Sequence, residues 1–488
     1  MITNILEKQN IIYTEEQQKA ITKIVEFVRD RSGFIRLVGS AGVGKTCCLK
    51  EIVDRVAALS IPITIISPTH KAKKVAEKSI NRDRDPNDTL ANYYEPITLA
   101  KALGQIPTIK IEDGQKMFVQ NGKPTMLGGL IIVDEASMVS ETALTKLEDL
   151  VEDTATVLFV LDPIQLPPVK SKTSEPPVYL LNIEEALLTK PQRFYADSTI
   201  GTITTQVRKK DIYLSNFNWS GFATYCKDKP DVNIYSNESK FEDAFLEDME
   251  AYDWSNNPDS VRLLSYTNKQ VNKYNSLVAM LYFDNNTSNY VSNEVLIARS
   301  PFVRTDLASS PSDVFNSSAK DTVHFINNGE EFKLLEQVST GTFTHPSYID
   351  KPVEYFVWKA EKEDGEIFTT NIVSAKGKKN FKYISSELNA IALAIPHRNH
   401  KKKKKAWKEK YRFIHSFDDC RRAYALTIHS SQGSTMENVY LDLSLLDIPL
   451  ASRVRRGLVY TAMTRPTTYL NIYIPPQYVA NSILDTIR

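Results

Sequence analysis

Residues 34–46 read FIRLVGSAGVGKT, and the fold is decided there. The run 34–38 has the length and apolar content of a strand buried on both faces. The turn that follows, Gly39, Ser40, Ala41, Gly42, Val43 and Gly44, leads into Lys45 and Thr46, where the pattern predicts a helix to open. Strand, glycine loop and helix N-terminus in that order make an anion cradle. Glycines let backbone N–H groups approach phosphate oxygens, and the helix end adds positive potential. Lys45 can neutralise β- and γ-phosphates, and the Thr46 hydroxyl can hold Mg²⁺. A chance glycine-rich turn is the bland alternative, and the flanking strand and helix weigh against it.

Outward from this stretch, ITIIS (63–67), LIIVD (130–134) and TVLFVLD (156–162) read as further buried strands with helical patterns between them. That alternation predicts a parallel sheet wrapped by helices over roughly the first 190 residues. A second set, VRLLSYT (261–267), AYALTI (423–428), VYLDL (439–443) and YLNIYI (469–474), implies a second α/β domain. Two stretches break the pattern. Residues 109–126 carry Asp113-Gly114 and Asn121-Gly122, dipeptides that close tight hairpins, and residues from about 327 onward carry short β-rich runs around Asp364-Gly365. The piece LASSPSDVFNSSAK (307–320) reads as a loop. Asp134 and Glu135 end the strand LIIVD, at the carboxyl edge of a sheet beside the phosphate loop. There Asp134 suits Mg²⁺ and Glu135 suits activation of an attacking water.

Bulk properties narrow the class. The chain has 488 residues, 42% hydrophobic and 24% charged, which fits a globular enzyme of several domains. A net charge of +1 makes any nucleic-acid site a local groove rather than a coat. Cys47, Cys48, Cys226 and Cys420 show no paired metal spacing, which points to a reducing, cytosolic setting. No apolar run has membrane-spanning length, and the N-terminus lacks a signal pattern, so a soluble, cytoplasmic protein with no membrane partner is expected.

With DEASM (134–138) the chain resembles superfamily 1 helicases of branch B, the RecD-like group, and most of all its Dda-like members, a likeness that spans most of the chain. The likeness rests on YTEEQQKA (13–20), GSAGVGKT (39–46), SPTHKA (67–72), DEASM, LDPIQLPPV (161–169), QR (192–193), YTNKQVNKYN (266–275), TIHSSQGST (427–435) and YTAMTR (460–465), in the family's order. It implies two RecA-like P-loop domains, each a parallel sheet flanked by helices and each carrying a small β-rich insertion. The first domain would be 1–104 with 128–195, interrupted by a β-hairpin pin at 105–127. The second would be 196–326 with 416–488, interrupted at 327–415 by a small β-barrel-like insertion with a basic segment.

The resemblance further implies ATP between the domains, with Gln17 on the adenine, Gln165 sensing the γ-phosphate, and Arg193 and Arg465 reaching it from across the cleft. Gln432 and Gly433 would approach the nucleotide from the second domain. Thr69, His70, Thr98, Thr267, Asn268, Thr427, His429 and Ser430 would line the nucleic-acid groove, where hydroxyls, amides and an imidazole can hold phosphates without reading bases. Capping or loop hydrogen bonding is the alternative for each of them taken singly. Two departures, Leu161 where glycine is usual and Pro466 where alanine is usual, leave the loop geometry at those points open.

In Dda-like helicases the first insertion meets the duplex junction. Phe118 would either stack on a base there or pack the hairpin. The run HRNHKKKKKAWKEK (397–410) either binds phosphates, with Trp407 stacking a base, or forms a solvated face. The expected partners are single-stranded and forked duplex DNA, with a single-strand-binding protein or replisome component also compatible and a monomer expected. The expected activity is ATP-dependent unwinding, 5′ to 3′. Two rivals remain: a remodelling P-loop NTPase without strand separation, and a binding protein with a dead nucleotide fold.

Overall fold

The computed structural model describes residues 12–30, 32–81, 94–109, 116–120, 126–168, 175–190, 192, 198–208, 217–252, 254, 256–282, 290–304, 310–316 and 323–479. The chain forms two compact units. One comprises Met1–Ile106, Gln120–Glu238 and Ser431–Arg488, and the other Pro107–Val119 and Ser239–Ser430.

The first unit is built on a six-stranded sheet in the order Tyr94–Thr98, Ile63–Ser67, Leu130–Val133, Thr156–Leu161, Gly33–Gly39, Glu184–Leu188, with every pairing parallel. The four inner strands are the apolar runs expected from the sequence. Both edge strands, YEPIT and EEALL, escaped that reading because an edge strand leaves part of its surface in water and its sequence alternates with polar residues.

Period-two geometry divides each inner strand between two cores. Leu130 and Ile132 pack with Ile21, Ile24, Leu49, Ile52 and Val53 on one face, while Ile131 and Val133 pack with Ala136, Leu144, Leu147 and Phe159 on the other. Burial on both faces is why these strands read as unbroken apolar runs. Entry into the Leu130–Val133 strand is set by Gly129, at φ +71°, where Leu130 N donates to Pro62 O at 2.9 Å and Thr156 N donates to Gly129 O at 2.8 Å. The same unit holds a parallel set of Met436–Asp442, Pro466–Tyr473 and Val232–Tyr235. Pro466 opens its strand, a place where the missing N–H costs no ladder bond.

In the second unit Val261–Ser265 and Ala425–Thr427 pair in parallel. Beside them in sequence lies an antiparallel sheet in the order Ile367–Val373, Val353–Lys362, Glu331–Phe343, Val295–Ala298, Cys420–Arg422. The β-rich character expected of 327–415 holds for its first half. The second half is a helical hairpin, Ala375–Ala394 and His400–His415, whose Ile384, Leu388 and Phe413 pack on Phe343 and Val353. Residues Gln105–Ile109 and Lys116–Gln120 form a two-stranded sheet where the hairpin was expected, and Asp113-Gly114 and Asn121-Gly122 lie outside the described residues.

Two local expectations change. Within 307–320, Pro311–Asn316 is a short helix. Ser310 and Asp313 cap it reciprocally, Ser310 N donating to Asp313 Oδ2 at 2.9 Å and Asp313 N to Ser310 Oγ at 3.3 Å. The signal, a capping box with proline at the first helical position, was present in SPSD. Trp407 is 1% exposed, with Lys410 Nζ 5.0 Å from its ring centre, so it is a core side chain of the basic helix and cannot stack a base. Lys403 is buried on the same side, four residues earlier, and Lys401, Lys402, Lys404 and Lys405 face solvent.

A Cβ at position 129 would lie 2.2 Å from Pro62 O, on a backbone that disfavours side chains. Gly129→Ala is therefore expected to destabilise the chain by more than ~1 kcal/mol, read as a lowered urea midpoint. An unchanged midpoint would show that this approach does not constrain the strand.

Candidate nucleotide and nucleic-acid sites

The loop Gly39 to Gly44 leaves the carboxyl end of its strand and enters the helix Lys45–Ala57 through Gly42 at φ +80° and Gly44 at φ +90°. Gly44 is left-handed, a conformation that favours glycine, and a Cβ there would lie 2.4 Å from Gln17 Nε2 and displace that amide. Lys45 Nζ donates to Gly39 O at 2.8 Å and Ser40 O at 2.9 Å, curling over its own loop. Thr46 is the second residue of the helix and partly exposed.

Gln17 is tied to this loop. Thr14 and Gln17 form a capping box, Thr14 N donating to Gln17 Oε1 at 3.0 Å and Gln17 N to Thr14 Oγ1 at 3.3 Å. Gln17 Nε2 then donates to Val43 O at 2.9 Å. The amide thus joins the first helix to the phosphate loop. Gln192 closes the loop from another side, its N–H donating to Gly42 O at 2.7 Å. Arg193, the next residue, lies outside the described residues.

Asp134 follows Val133 at the carboxyl end of the central strand and its N–H donates to Ile66 O at 2.9 Å. Its Oδ1 accepts from Glu135 N at 2.9 Å. Glu135 sits at φ 48°, ψ 39°, a left-handed conformation that non-glycine residues adopt at a cost of about 1–3 kcal/mol and that recurs at functional sites. Burial, then the charge of Glu135, pushes the Asp134 carboxyl from 3.8 up to about 7, with Lys45 opposing. Asp134 and Thr46 are the groups here that could hold a divalent cation.

The segment from Ser431 onward contributes to the same edge. Gln432 Nε2 donates to Gln165 Oε1 at 3.3 Å, and both side chains are buried. Arg465 is buried too, Nε donating to Thr461 O at 2.9 Å, Nη1 to Ser434 O at 3.0 Å and Nη2 to Thr464 Oγ1 at 2.8 Å. Burial lowers its pKa, and the charge of Glu135 is the largest influence opposing that. Gly433 takes φ +80° over Ala72.

Two residues that sequence reasoning did not single out complete the arrangement. Tyr460 Oη donates to Asp162 Oδ2 at 2.7 Å and accepts from Ala41 N at 3.1 Å, joining the phosphate loop to the LDP turn. Arg453 Nη1 donates to Ile164 O at 3.0 Å, and its other terminal nitrogen to Pro163 O. Tyr460 opens the quoted YTAMTR motif, and its position five residues before Arg465 was the available signal. Leu161, the first departure from the family pattern, is the buried last residue of its strand, and Asp162 turns back to accept from Ile164 N at 3.1 Å.

The polar residues expected to face nucleic acid fall into two groups. In the first unit Thr69 Oγ1 accepts from Ala72 N at 3.1 Å and Thr98 Oγ1 from Lys101 N at 3.3 Å, each capping a helix start. His70 opens the helix His70–Asn81. In the second unit Thr267, Asn268, Thr427, His429 and Ser430 all line one cleft of about 550 Å³. Thr267 caps through Gln270 N at 3.2 Å, and Thr427 accepts from Ser430 N at 3.2 Å, with the two hydroxyl oxygens 2.7 Å apart. Capping uses a hydroxyl as acceptor, so the Thr267 proton and one proton of the Thr427–Ser430 pair stay available to a phosphate oxygen.

Asn275, the last residue of YTNKQVNKYN, was missed as a positioning group. It clamps the strand leading to this cleft, accepting from Ala425 N at 3.0 Å and donating to Ala425 O at 3.1 Å. Burial of His429 lowers its pKa, favouring the neutral imidazole, and the Tyr266 ring centre is 6.1 Å away. Phe118 lies on the second strand of the hairpin.

Two family models match, one described as an AAA domain over residues 12–221 and one as a UvrD-like helicase C-terminal domain over residues 422–473. The chain is 24% identical over 514 residues to the uncharacterised protein R530 of Acanthamoeba polyphaga mimivirus, covering 95% of this chain and 100% of that one. It is 22% identical over 477 residues to the ATP-dependent DNA helicase Dda of Enterobacteria phage T4, covering 93% and 97%. Among solved structures, a Pif1 helicase from Bacteroides in complex with ADP-AlF3 and single-stranded DNA superposes with a TM-score of 0.47 at 15% identity, covering 98% of this chain and 96% of that one. The Pif1 helicase of Candida albicans superposes at 0.46 and 15%, covering 98% of each chain.

Tyr460→Phe strands a buried carboxylate oxygen and a backbone N–H, and hydrogen bonds to charged groups contribute about 1.5–3 kcal/mol. A stability loss of that size in urea unfolding is expected, and a loss near zero would mean that the bridge carries no net energy. Asp134 gives a pH-dependent counterpart. Between 3.8 and about 7 the folded chain keeps a proton that the unfolded chain has lost, so stability falls as pH rises through that window. Without nucleotide or metal, Asp134→Asn should match wild type near the low end of the window and exceed it increasingly up to the high end. Parallel stability curves would contradict the raised pKa.

Proposed function

We infer that this chain, a superfamily 1 helicase of branch B related to Dda, hydrolyses ATP to move along single-stranded DNA and part a duplex. One observation carries the reading. The carboxyl edge of one parallel sheet gathers the glycine loop, Asp134, Glu135 and Gln165 with Gln432 and Arg465, and five sequence-tolerant polar groups share a separate cleft in the other unit.

In this reading the triphosphate lies on the backbone from Gly39 to Thr46, Lys45 uncurls from its loop carbonyls onto the β- and γ-phosphates, and Gln17 meets the adenine. Glu135 draws the proton from the attacking water and Gln165 senses the γ-phosphate. Arg193 and Arg465 stabilise the charge that develops on the transferred group. Gln432 and Gly433 complete the pocket.

The donor set fits Mg²⁺, because one carboxylate and one hydroxyl leave phosphate oxygens and water as its remaining ligands. No cluster of three or more His, Cys, Asp or Glu side chains that could hold a metal by itself occurs among the described residues. Thr46 and Asp134 would hold the ion, which supplies charge neutralisation at the β- and γ-phosphates.

Thr69, His70, Thr98, Thr267, Asn268, Thr427, His429 and Ser430 grip the strand through its phosphates, and Phe118 on the hairpin meets the duplex junction. The domain boundaries read from the sequence belong to this proposal, as do 5′-to-3′ travel, monomeric action in the cytoplasm of a bacterium or phage-infected cell, and a role in replication, recombination or repair. A single-strand-binding protein or replisome component would be the natural protein partner. No helix among the described residues is long and apolar enough to cross a membrane.

Forked duplexes bearing either a 5′ or a 3′ single-stranded tail test the reading directly. ATP-dependent unwinding of the 5′-tailed fork is expected, and Lys45→Ala should lower it by at least about 100-fold, the scale of removing a preorganised charge from a reacting centre. Turnover indifferent to DNA, with neither fork opened, would exclude a helicase.

A further inference from the structure

The cleft lined by Thr267, Asn268, Thr427, His429 and Ser430 shares a wall with a second cleft of about 570 Å³ in the same unit, and the residues common to both are Arg299 and Arg421. Antiparallel register brings them together. Ile297 pairs with Arg421 and Ala298 with Cys420, after which Arg299 N donates to Asp419 O at 2.7 Å.

Arg421 is held in place by Asn268, its Nη1 donating to the amide oxygen at 2.9 Å, while its buried Nε has no acceptor among the described residues. Arg299 meets Asp419 only at 3.8 Å, with side chains 53% and 50% exposed, a pair that stabilises little. Burial and the neighbouring Arg299 charge both lower the Arg421 pKa. Two guanidiniums side by side with one donor unsatisfied make a site that an anion would complete.

The second cleft extends the same chemistry. Lys378 and Lys382, from the first two turns of the helix Ala375–Ala394, line it beside Phe381 and Phe417. Of its two carboxylates, Asp418 accepts at Oδ2 from Arg304, from Thr370 Oγ1 at 2.8 Å and from Asn371 N at 2.7 Å, its buried Oδ1 having no partner among the described residues, and Asp419 lies beside Arg299. No carboxylate lines the first cleft among the described residues. Desolvation and the charge of Arg422 lower the pKa of Lys378, as crowding of like charges does.

We propose that Arg299 and Arg421 bind a backbone phosphate of the single strand, and that the strand runs from the Thr427–Ser430 cleft across this pair onto Lys378 and Lys382. The path rests on the nucleic-acid reading of the first cleft and lengthens it by residues that none of the helicase motifs contains. Arginine suits the shared wall because its planar fork can meet a phosphate from both clefts at once.

Fluorescence anisotropy with labelled oligodeoxythymidylate across a salt series tests it. Each contact removed should lower the slope of log affinity against log salt by about 0.7, the single-strand value per phosphate. Arg421→Gln, Arg299→Gln and Lys382→Gln should each show that drop, and Arg421→Lys should keep the wild-type slope. Circular dichroism checks folding. If Arg421→Gln fails to fold, the exposed Arg299 and Lys382 variants decide, and wild-type slopes in both overturn the path. A wild-type chain that binds no oligonucleotide would instead overturn the helicase reading beneath it.

Discussion

Strands buried on both faces can carry chemistry only where they end. In the six-stranded sheet of the first unit that constraint is met at every strand, because each carboxyl end opens into a polar group of the candidate site. Gly39 begins the phosphate loop, Ser67 leads to Thr69, and Thr98 caps its own short helix. Val133 hands over to Asp134, Leu161 to Asp162, and Leu188 runs on to Gln192 at the loop carbonyl. Parallel direction brings all six ends to one edge, so residues far apart in sequence meet there. In the second unit the parallel pair does the same on a smaller scale, delivering Ser265 to Thr267 and Thr427 to His429.

Hydrogen bonds at that edge are shared rather than private. Ala41 N–H, the Tyr460 hydroxyl and the Asp162 carboxylate form one chain, and Gln432 meets Gln165 a few residues further along. Removing one member leaves a buried donor or acceptor stranded, which costs more than the bond itself contributes. The phosphate loop is therefore held by the C-terminal segment as well as by its own helix. Arg453, fixed on the carbonyls of Pro163 and Ile164, adds a third tie to the same turn.

The parts of this fold that were legible in the sequence are those where one local rule dominates. Apolar runs marked the four inner strands, and glycines with a following lysine marked the loop. The edge strands were not legible, because half-exposed strands such as YEPIT carry no run. Tyr460 lay in plain view inside YTAMTR, yet its function is set by a carboxylate 298 residues away, which no window of sequence contains. Trp407 looked like a base-stacking ring among lysines, and only the helical phase of residues 403 and 407 turns it inward. Arg421 could not be recognised either, since its partner Asn268 and neighbour Arg299 arrive through strand register.

Strain and unfavourable charge concentrate where that edge is polar. Glu135 is held left-handed, and burial beside a second carboxylate pushes the Asp134 carboxyl above its ordinary range. Both features cost stability, and neither has a packing reason, since Ala136 and Val139 next to them sit in ordinary core positions. On the proposed reading, a cation held by Asp134 and Thr46 would relieve strain and charge already present there. The same logic applies to Arg299 and Arg421 in the other unit, where two like charges stand together with a buried donor unmet. One edge is short of positive charge and the other cleft short of negative charge, deficits that on the proposed reading a metal-bound nucleotide would answer at the first and a strand of phosphates at the second.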